Sequence, residues 1–303
     1  MGKNMIKTGI AALLALCFFA SVSIAEEQGK GDIDWAGGYV TGVGFGTSRP
    51  TGNRVKDRLN AIRAAEATAQ RALLETIKGV RIDSVTTVEN MALVDDRIRT
   101  RVSGVVKGAH ITKRDFQWVD GSPMATVEMK VCLTGGISGC RGQSLVNVLD
   151  LEKVKLPPHV PQEPMSIDTP LPSSGQPSGR KSPVYDANRK VTGVIFNLEG
   201  RFFEKEMLPV VVTRNNDKTV TIYCVKNVKP SVIRSFGAVR YADSLDQATK
   251  QPNLGDNPLI IHISDVSREN MIFIHAEDAK IMRDTMMHGN DYLNDAKVVI
   301  TTK

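Results

Sequence analysis

A glycine-rich stretch in front of an alanine-rich helical pattern is the feature that most limits how this chain can fold. The stretch GYVTGVGFGTSRPTG, residues 38–52, contains five glycines. In an extended strand, alternate side chains point to opposite faces. One face would carry Tyr39, Thr41, Val43 and Phe45, and the other would carry Val40, Gly42, Gly44 and Gly46. The glycine face lets another backbone approach closely.

The segment that follows predicts the helix that makes this approach. Over residues 55–78, apolar or small residues recur at steps of three and four, namely Leu59, Ile62, Ala65, Ala69, Leu73 and Ile77. Gly79 is placed to end the helix. We expect Ala65 and Ala69 to pack closely against Gly42 and Gly44.

A phosphate-binding loop is the competing interpretation of the glycines. Gly42, Gly44 and Gly46 are spaced G-x-G-x-G, and Arg49 stands where a dinucleotide fingerprint needs its third glycine. After Gly52 come Asn53 and Arg54, so the lysine of a P-loop is missing. The residues therefore favour packing over phosphate binding.

The first 25 residues predict a secretory signal peptide. Lys3 and Lys7 precede an apolar run at residues 10–22, and Ser23 and Ala25 are small residues at the positions that a signal peptidase reads. We expect a periplasmic protein, with outer-membrane association as a further expectation. No later run approaches the roughly 20 apolar residues of a membrane span.

Lipidation at Cys17 is disfavoured, because the bulky Leu16 precedes it where a lipobox has a small residue. The formal charge of +6 falls to +4 when Lys3 and Lys7 are removed. This charge permits weak attraction to anionic headgroups or cell-wall polymers. Nucleic-acid binding is not expected, since the basic residues are not interleaved with exposed aromatic residues.

The remaining cysteines predict one disulfide. Cys132 and Cys140 flank the flexible segment LTGGISG, which could bring them within bonding reach, while Cys224 lies in a strand pattern and is expected to be buried. Three cysteines and scattered histidines indicate no metal site, and no cofactor is expected.

A proline-rich segment predicts the division of the chain. Residues 155–183 contain eight of the fourteen prolines and indicate a semi-extended linker. On either side we expect a unit at residues 26–154 and another at 184–303, held apart and able to move independently.

Both units have mixed α+β patterns. In the first, a strand is expected at residues 81–90, a helix at 95–105 ending at Gly108, and a hairpin of residues 110–119 and 124–133. For 95–105 a strand aligning Arg97, Arg99 and Arg101 is the alternative. The result would be an antiparallel sheet covered on one face by one long helix. The second unit shows six strand patterns and two helices, at 242–250 and from Glu277 or Asp278 to Tyr292.

The pattern of the first unit resembles the Lpp-twenty lipoprotein family of bacterial envelope proteins, which includes flagellar outer-membrane-associated proteins P and T. The resemblance covers residues 35–133 and rests on GYVTGVGFG, on the alanine-rich helix ending in IKGV, and on VKGA at 106–109. It implies a dodecin-like layer used in envelope assemblies and not known for catalysis. The chain departs from the family in lacking a usable lipobox and in carrying a second domain.

We therefore expect a non-enzymatic envelope protein that acts through protein contacts, with flagellar or outer-membrane proteins as partners. A wide sheet face often forms oligomers, so a homo-oligomer is also an expectation. The alternative is a periplasmic hydrolase or small-ligand binder with its site in the second unit. That alternative requires Ser138, His275 or Asp278 to line one deep pocket; Ser138 itself sits in GISGC, which lacks the last glycine of a nucleophile elbow.

Overall fold

The computed structural model describes residues 29–135, 140, 144–164, 180–215, 218–287 and 290–302. The predicted signal peptide, Cys17, Ser138 and the centre of the predicted linker lie outside these residues. The fold is mixed α+β with a second strand-rich unit, as the patterns indicate.

The first unit is an antiparallel sheet with one long helix on one face. Its strands are β1 (Lys30–Asp34), β2 (Tyr39–Thr47), β3 (His110–Val119) and β4 (Ser122–Cys132), in the order β1-β2-β4-β3. Helix α1 (Arg54–Lys78) covers the sheet along β2 and β4. Asn53 caps α1 by accepting hydrogen bonds from two backbone N–H groups of the first turn. Strand β1 was not predicted.

The glycine face of β2 lies directly under α1. A Cβ atom added at Gly44 would lie 2.1 Å from the backbone nitrogen of Ala69 and 2.2 Å from the carbonyl oxygen of Ala65. At Gly42 the same atom would lie 2.6 Å from the carbonyl oxygen of Ala69. Ala65 and Ala69 are fully buried. The helix backbone therefore rests on the strand backbone, in the arrangement that the spacing of glycines and alanines predicts.

Two details of the first unit differ from the predictions. Leu59 was predicted to face the sheet but is 49% exposed. In this part of α1 the side facing the sheet carries Asp57, Ala61 and Ala65, and Leu59 points away from that side. The predicted strand at 81–90 is replaced by a turn and helix α2 (Val88–Val94). Thr87 forms a capping box with Asn90, which starts a helix where β-branched residues suggested a strand.

Helix α3 (Asp96–Lys107) follows, with Asp95 as its N-cap and Gly108 as its C-cap. The helical interpretation of this segment is confirmed, and the alternative strand is wrong. A short helix α4 (Leu145–Val148) and a 3-10 turn (Leu151–Lys153) lead out of the first unit.

The second unit contains two four-stranded sheets. Its strands are β5 (Gly193–Asn197), β6 (Val211–Asn215), β7 (Lys218–Tyr223), β8 (Arg240–Ala242), β9 (Pro258–His262), β10 (Asp265–Val266), β11 (Ile272–Ile274) and β12 (Val298–Thr301). One sheet is parallel, in the order β8-β12-β5-β9, and the other is mixed, in the order β10-β11-β6-β7. Each of the six predicted strand segments contains a strand.

The helices of the second unit are α5 (Pro230–Phe236), α6 (Leu245–Thr249) and α7 (Ala276–Met286), with 3-10 turns at Val225–Asn227 and Pro252–Leu254. Helix α5 was not predicted. The predicted helix at 242–250 is shorter, because Ser244 caps α6 and residues 240–242 form a strand. The last helix ends at Met286, short of Tyr292.

The two units pack against each other, so the expectation that they are held apart is wrong for the described residues. The backbone nitrogens of Met207 and Leu208 donate to the carbonyl oxygens of Arg81 and Ile82, at 3.0 and 2.8 Å. The rings of Trp35 and Tyr241 meet edge to face, with centroids 5.3 Å apart. Buried side chains of both units form one continuous cluster.

Residues at the two ends of the predicted linker also pack on the second unit. Thr221 donates from its hydroxyl to the carbonyl oxygen of Pro161 at 2.9 Å, and the Arg180 guanidinium binds the carboxylate of Asp278. The proline content did not predict that these ends of the segment pack on the second unit.

Candidate protein-contact surface

The face of the first sheet that points away from α1 is not covered by another described helix or strand. Because side chains alternate along a strand, the residues between the glycines of β2 point away from the helix. No helix or strand of the described chain other than α1 packs extensively on β1–β4. We call this surface the open face.

Three apolar side chains, Val43, Phe45 and Met124, lie along a diagonal of the open face, and we call them the apolar centre. Their direct cross-strand neighbours on β2 and β4 are polar, since Glu128 is opposite Val43 and Thr47 is opposite Met124. Phe45 pairs directly with Thr126 on β4, and Val43 and Met124 are the next residues on the same face of each strand. All four side chains are half-buried. Apolar side chains within a partly polar surface are a usual feature of protein interfaces.

Charged residues lie beside this centre, and several are already paired. Lys113 lies 2.8 Å from Asp115 on β3, and Glu128 lies 3.6 Å from Lys130 on β4. The hydroxyl of Thr112 also donates to Glu128 at 2.6 Å. A buried charge without a partner of opposite sign is costly in an interface. Because these charges are already paired, a binding partner can cover them without that cost. The open face therefore has three apolar side chains with paired charges beside them.

The predicted disulfide is present in the structure. Cys132, the last residue of β4, is bonded to Cys140, and their Cα atoms are 5.9 Å apart. Cys224 is free and buried. Near Cys132, at the junction of the units, Arg240 donates to the carbonyl oxygen of Gly135 at 3.1 Å.

Of the residues proposed for a catalytic or ligand site, only His275 and Asp278 are among the described residues, and they do not line a common cavity. Asp278 is fully buried, and the guanidinium of Arg180 donates to it at 3.0 Å. Burial raises the pKa of Asp278, and Arg180 opposes this shift. His275 is the N-cap residue of α7 and makes no side-chain cap hydrogen bond. The buried ion pair therefore fixes the backbone at Arg180 against helix α7.

Neither His275 nor Asp278 lines the two cavities described next. The first lies at the junction near Trp35, Arg240 and Tyr241 and has a volume of about 20 Å³, which is room for about one water molecule. The second is an open groove of about 430 Å³ between residues 152–162 and Lys226.

A buried carboxyl group at the junction was missed by the sequence analysis. Glu206 is 1% exposed, and its Oε2 atom has no hydrogen-bond partner among the described residues. Burial raises its pKa to about 8, against the opposing effects of Asn270 and Arg81. The sequence around it, RFFEKEMLPVV, shows an acid before a buried strand but does not show what covers that acid.

The comparisons with known proteins concern the second unit. Residues 193–303 match the family described as Treponema pallidum Tp0624, second domain. This range contains all eight strands β5–β12 and is well under half of the chain. The comparison with curated proteins returned no match.

The described residues contain no group of three or more histidine, cysteine, aspartate or glutamate side chains placed to hold a metal ion. Among the helices of the same residues, none is long and apolar enough to cross a membrane.

Proposed function

We propose that this chain is an exported, non-enzymatic envelope protein that acts by binding other proteins through the open face. The observation that carries the proposal is the apolar centre formed by Val43, Phe45 and Met124, with paired charges beside it. Burial of a large aromatic side chain contributes much of the binding energy at protein interfaces. Phe45 is the aromatic side chain at this centre.

The envelope setting of the proposal rests on the sequence. The signal-peptide pattern of residues 1–25 supports export, and the resemblance to the Lpp-twenty family supports a role in flagellar or outer-membrane-associated assembly. The partners would be envelope proteins, further copies of this chain, or both.

The proposal is tested by affinity purification of the tagged chain from envelope extract, with native mass measured in the same preparation. We compare the wild type with Phe45→Arg, which places a charge at the apolar centre. Phe202→Arg is the matched control, because Phe202 is 82% exposed on the second unit. Loss of the same partners or of the same assembly only in Phe45→Arg supports the proposal.

An unchanged set of partners and an unchanged mass in Phe45→Arg would reject the open face as the contact. A monomer without partners in the wild type would reject the protein-contact function. The alternative of a small-ligand binder would then be tested by ligand screening of the groove near Glu152 and Lys226.

A further inference from the structure

The N-terminal half of α1 exposes apolar side chains that nothing in the described chain covers. Val55 is 71% exposed and Leu59 is 49% exposed, while Ile62, on the same side of the helix, is half-buried and packs in part against the core. Residues spaced by four and three share one face of a helix, so these three form a continuous stripe along α1. Exposure of such a stripe to water is unfavourable unless another phase or partner covers it.

Basic residues lie on both sides of this stripe. Arg54 and Arg58 flank it towards β3, and Lys56 and Arg63 flank it on the other side; all four are exposed. The guanidinium of Arg54 lies 5.0 Å from the centre of the Trp118 ring. That of Arg58 lies 5.4 Å from the centre of the Phe116 ring, so the two arginines and two aromatic rings form one surface with the stripe.

The acidic residues of this part of α1 do not neutralise that surface. Asp57 is buried and accepts hydrogen bonds from the backbone nitrogen and hydroxyl of Thr51, at 2.9 and 2.7 Å. Glu66 is paired with Arg114 at 2.8 Å. The exposed charge beside the stripe is therefore positive.

We propose that this surface, formed by the stripe of Val55, Leu59 and Ile62 with its flanking basic and aromatic residues, docks on anionic phospholipid bilayers. An apolar stripe flanked by basic residues is the pattern of helices that lie in the bilayer interface. Trp118 stands at its edge, and tryptophan is enriched at the level of the headgroups.

A bilayer accounts for both properties of this surface. Lipid phosphates meet the guanidinium groups of Arg54 and Arg58, and the acyl boundary covers Val55 and Leu59. An acidic protein segment would use the charges but would leave the exposed stripe unexplained. The docking is reversible, since a few basic residues and two or three short apolar side chains supply less binding energy than a membrane span.

The first test is co-sedimentation of the full chain without its predicted signal peptide with vesicles of two compositions. We expect binding to vesicles of phosphatidylethanolamine with phosphatidylglycerol and none to vesicles of phosphatidylcholine. Because the attraction is between charges at a surface, added salt should weaken it.

Variants locate the binding on the chain. Arg54→Glu with Arg58→Glu should lower the apparent affinity by roughly 30-fold or more, from about one kcal/mol for each basic residue at an anionic surface. Lys190→Glu with Arg268→Glu makes the same change in net charge at exposed positions of the second unit and serves as the matched control. We expect that control to retain most of the binding.

Fluorescence tests insertion rather than simple adsorption. The chain contains two tryptophans, Trp35 and Trp118, so a Trp35→Phe variant reports on Trp118 alone. Its emission should shift to shorter wavelength on anionic vesicles, and Leu59→Asp should remove the shift. Circular dichroism of each variant confirms that α1 is intact.

The inference is overturned if the chain does not bind anionic vesicles, or if the two charge-reversal pairs lower binding equally. Binding to a polyglutamate peptide without binding to vesicles would also overturn it, in favour of an acidic protein partner. The result is independent of the open face, because Phe45→Arg should leave vesicle binding unchanged.

Discussion

At the scale of single residues, the missing side chain of Gly44 sets the distance between α1 and the sheet. Its hydrogen faces backbone atoms of Ala65 and Ala69, which cannot move aside as a flexible side chain could. Gly104 in α3 is the opposite case, because an added Cβ atom there meets nothing within 4 Å.

This contrast predicts opposite effects of one chemical change. Gly44→Ala should lower the free energy of unfolding by about 1–3 kcal/mol or more, because α1 must shift away from β2. Gly104→Ala should raise it by up to about 1 kcal/mol, because alanine favours a helix interior. Urea unfolding of the two variants measures both effects, and equal effects at the two sites would contradict the close packing.

Glu206 predicts a pH dependence of stability. Its pKa is raised from 4.5 to about 8 in the folded chain, mainly by burial, so the folded state holds its proton more tightly than the unfolded state. The free energy of unfolding should therefore fall as pH rises from about 4.5 to about 8, and be insensitive to this group outside that range.

The variant Glu206→Gln should remove this component, since an amide does not titrate. Denaturant unfolding across the same pH range measures it. Glu269→Gln is the control, because Glu269 is exposed and its pKa is lowered by hydrogen bonds to its own backbone and to Ser267. Parallel pH profiles for the wild type and Glu206→Gln would show that Glu206 does not titrate in this range.

At the scale of elements, the disulfide fastens the end of β4 to the following loop. Cross-linking restricts the unfolded chain, and for a loop with a sequence separation of 8 the loop-closure relation gives a stabilisation of roughly 2–3 kcal/mol. Cys132→Ser with Cys140→Ser should lose about that amount. A reductant should lower the wild type to the same stability and leave the double variant unchanged. If a reductant lowered the stability of both proteins, that loss would have to come from a site other than this disulfide.

Elements with signals at both ends were predictable from the sequence. Asp95 and Gly108 mark the ends of α3, and the turn at residues 120–121 marks the hairpin of β3 and β4. The prediction of a strand at residues 81–90 was wrong, because the helix cap at Thr87 outweighs the strand preference of the β-branched residues before it. Strand order in the second unit could not be predicted, because parallel pairing depends on contacts distant in sequence.

The candidate surfaces were predictable only in part. Alternation along β2 places Val43 and Phe45 on the face away from the glycines, as the strand pattern indicates. That no described element covers this face, and that Leu59 is exposed, depend on how the rest of the chain packs. The burial of Glu206 depends on contacts between the units, which the proline-rich segment gave no reason to expect.

At the scale of the whole molecule, the two units share one hydrophobic cluster through Leu208 and its neighbours. Leu208 is 2% exposed and is hydrogen-bonded to Ile82 across the junction. Truncation of such a side chain removes buried contacts from both units at once.

The shared cluster predicts cooperative unfolding. In a Trp118→Phe variant, whose remaining tryptophan is Trp35 at the junction, fluorescence and far-ultraviolet circular dichroism should report the same midpoint in denaturant. Leu208→Ala should lower the free energy of unfolding by about 2–5 kcal/mol. In that variant, the unfolding curves from fluorescence and from circular dichroism need no longer coincide. Two separate transitions while Leu208 is intact would contradict a shared core.

The most direct test of the protein-contact function is photo-cross-linking in intact cells. A photoreactive benzoylphenylalanine is placed at Phe45 in one strain and at Phe202 in another, so that the same probe samples the open face and an exposed control position. The account predicts cross-links to a discrete protein, or to a second copy of the chain, from position 45 and not from position 202. No cross-link at 45, or the same products from both positions, would contradict it.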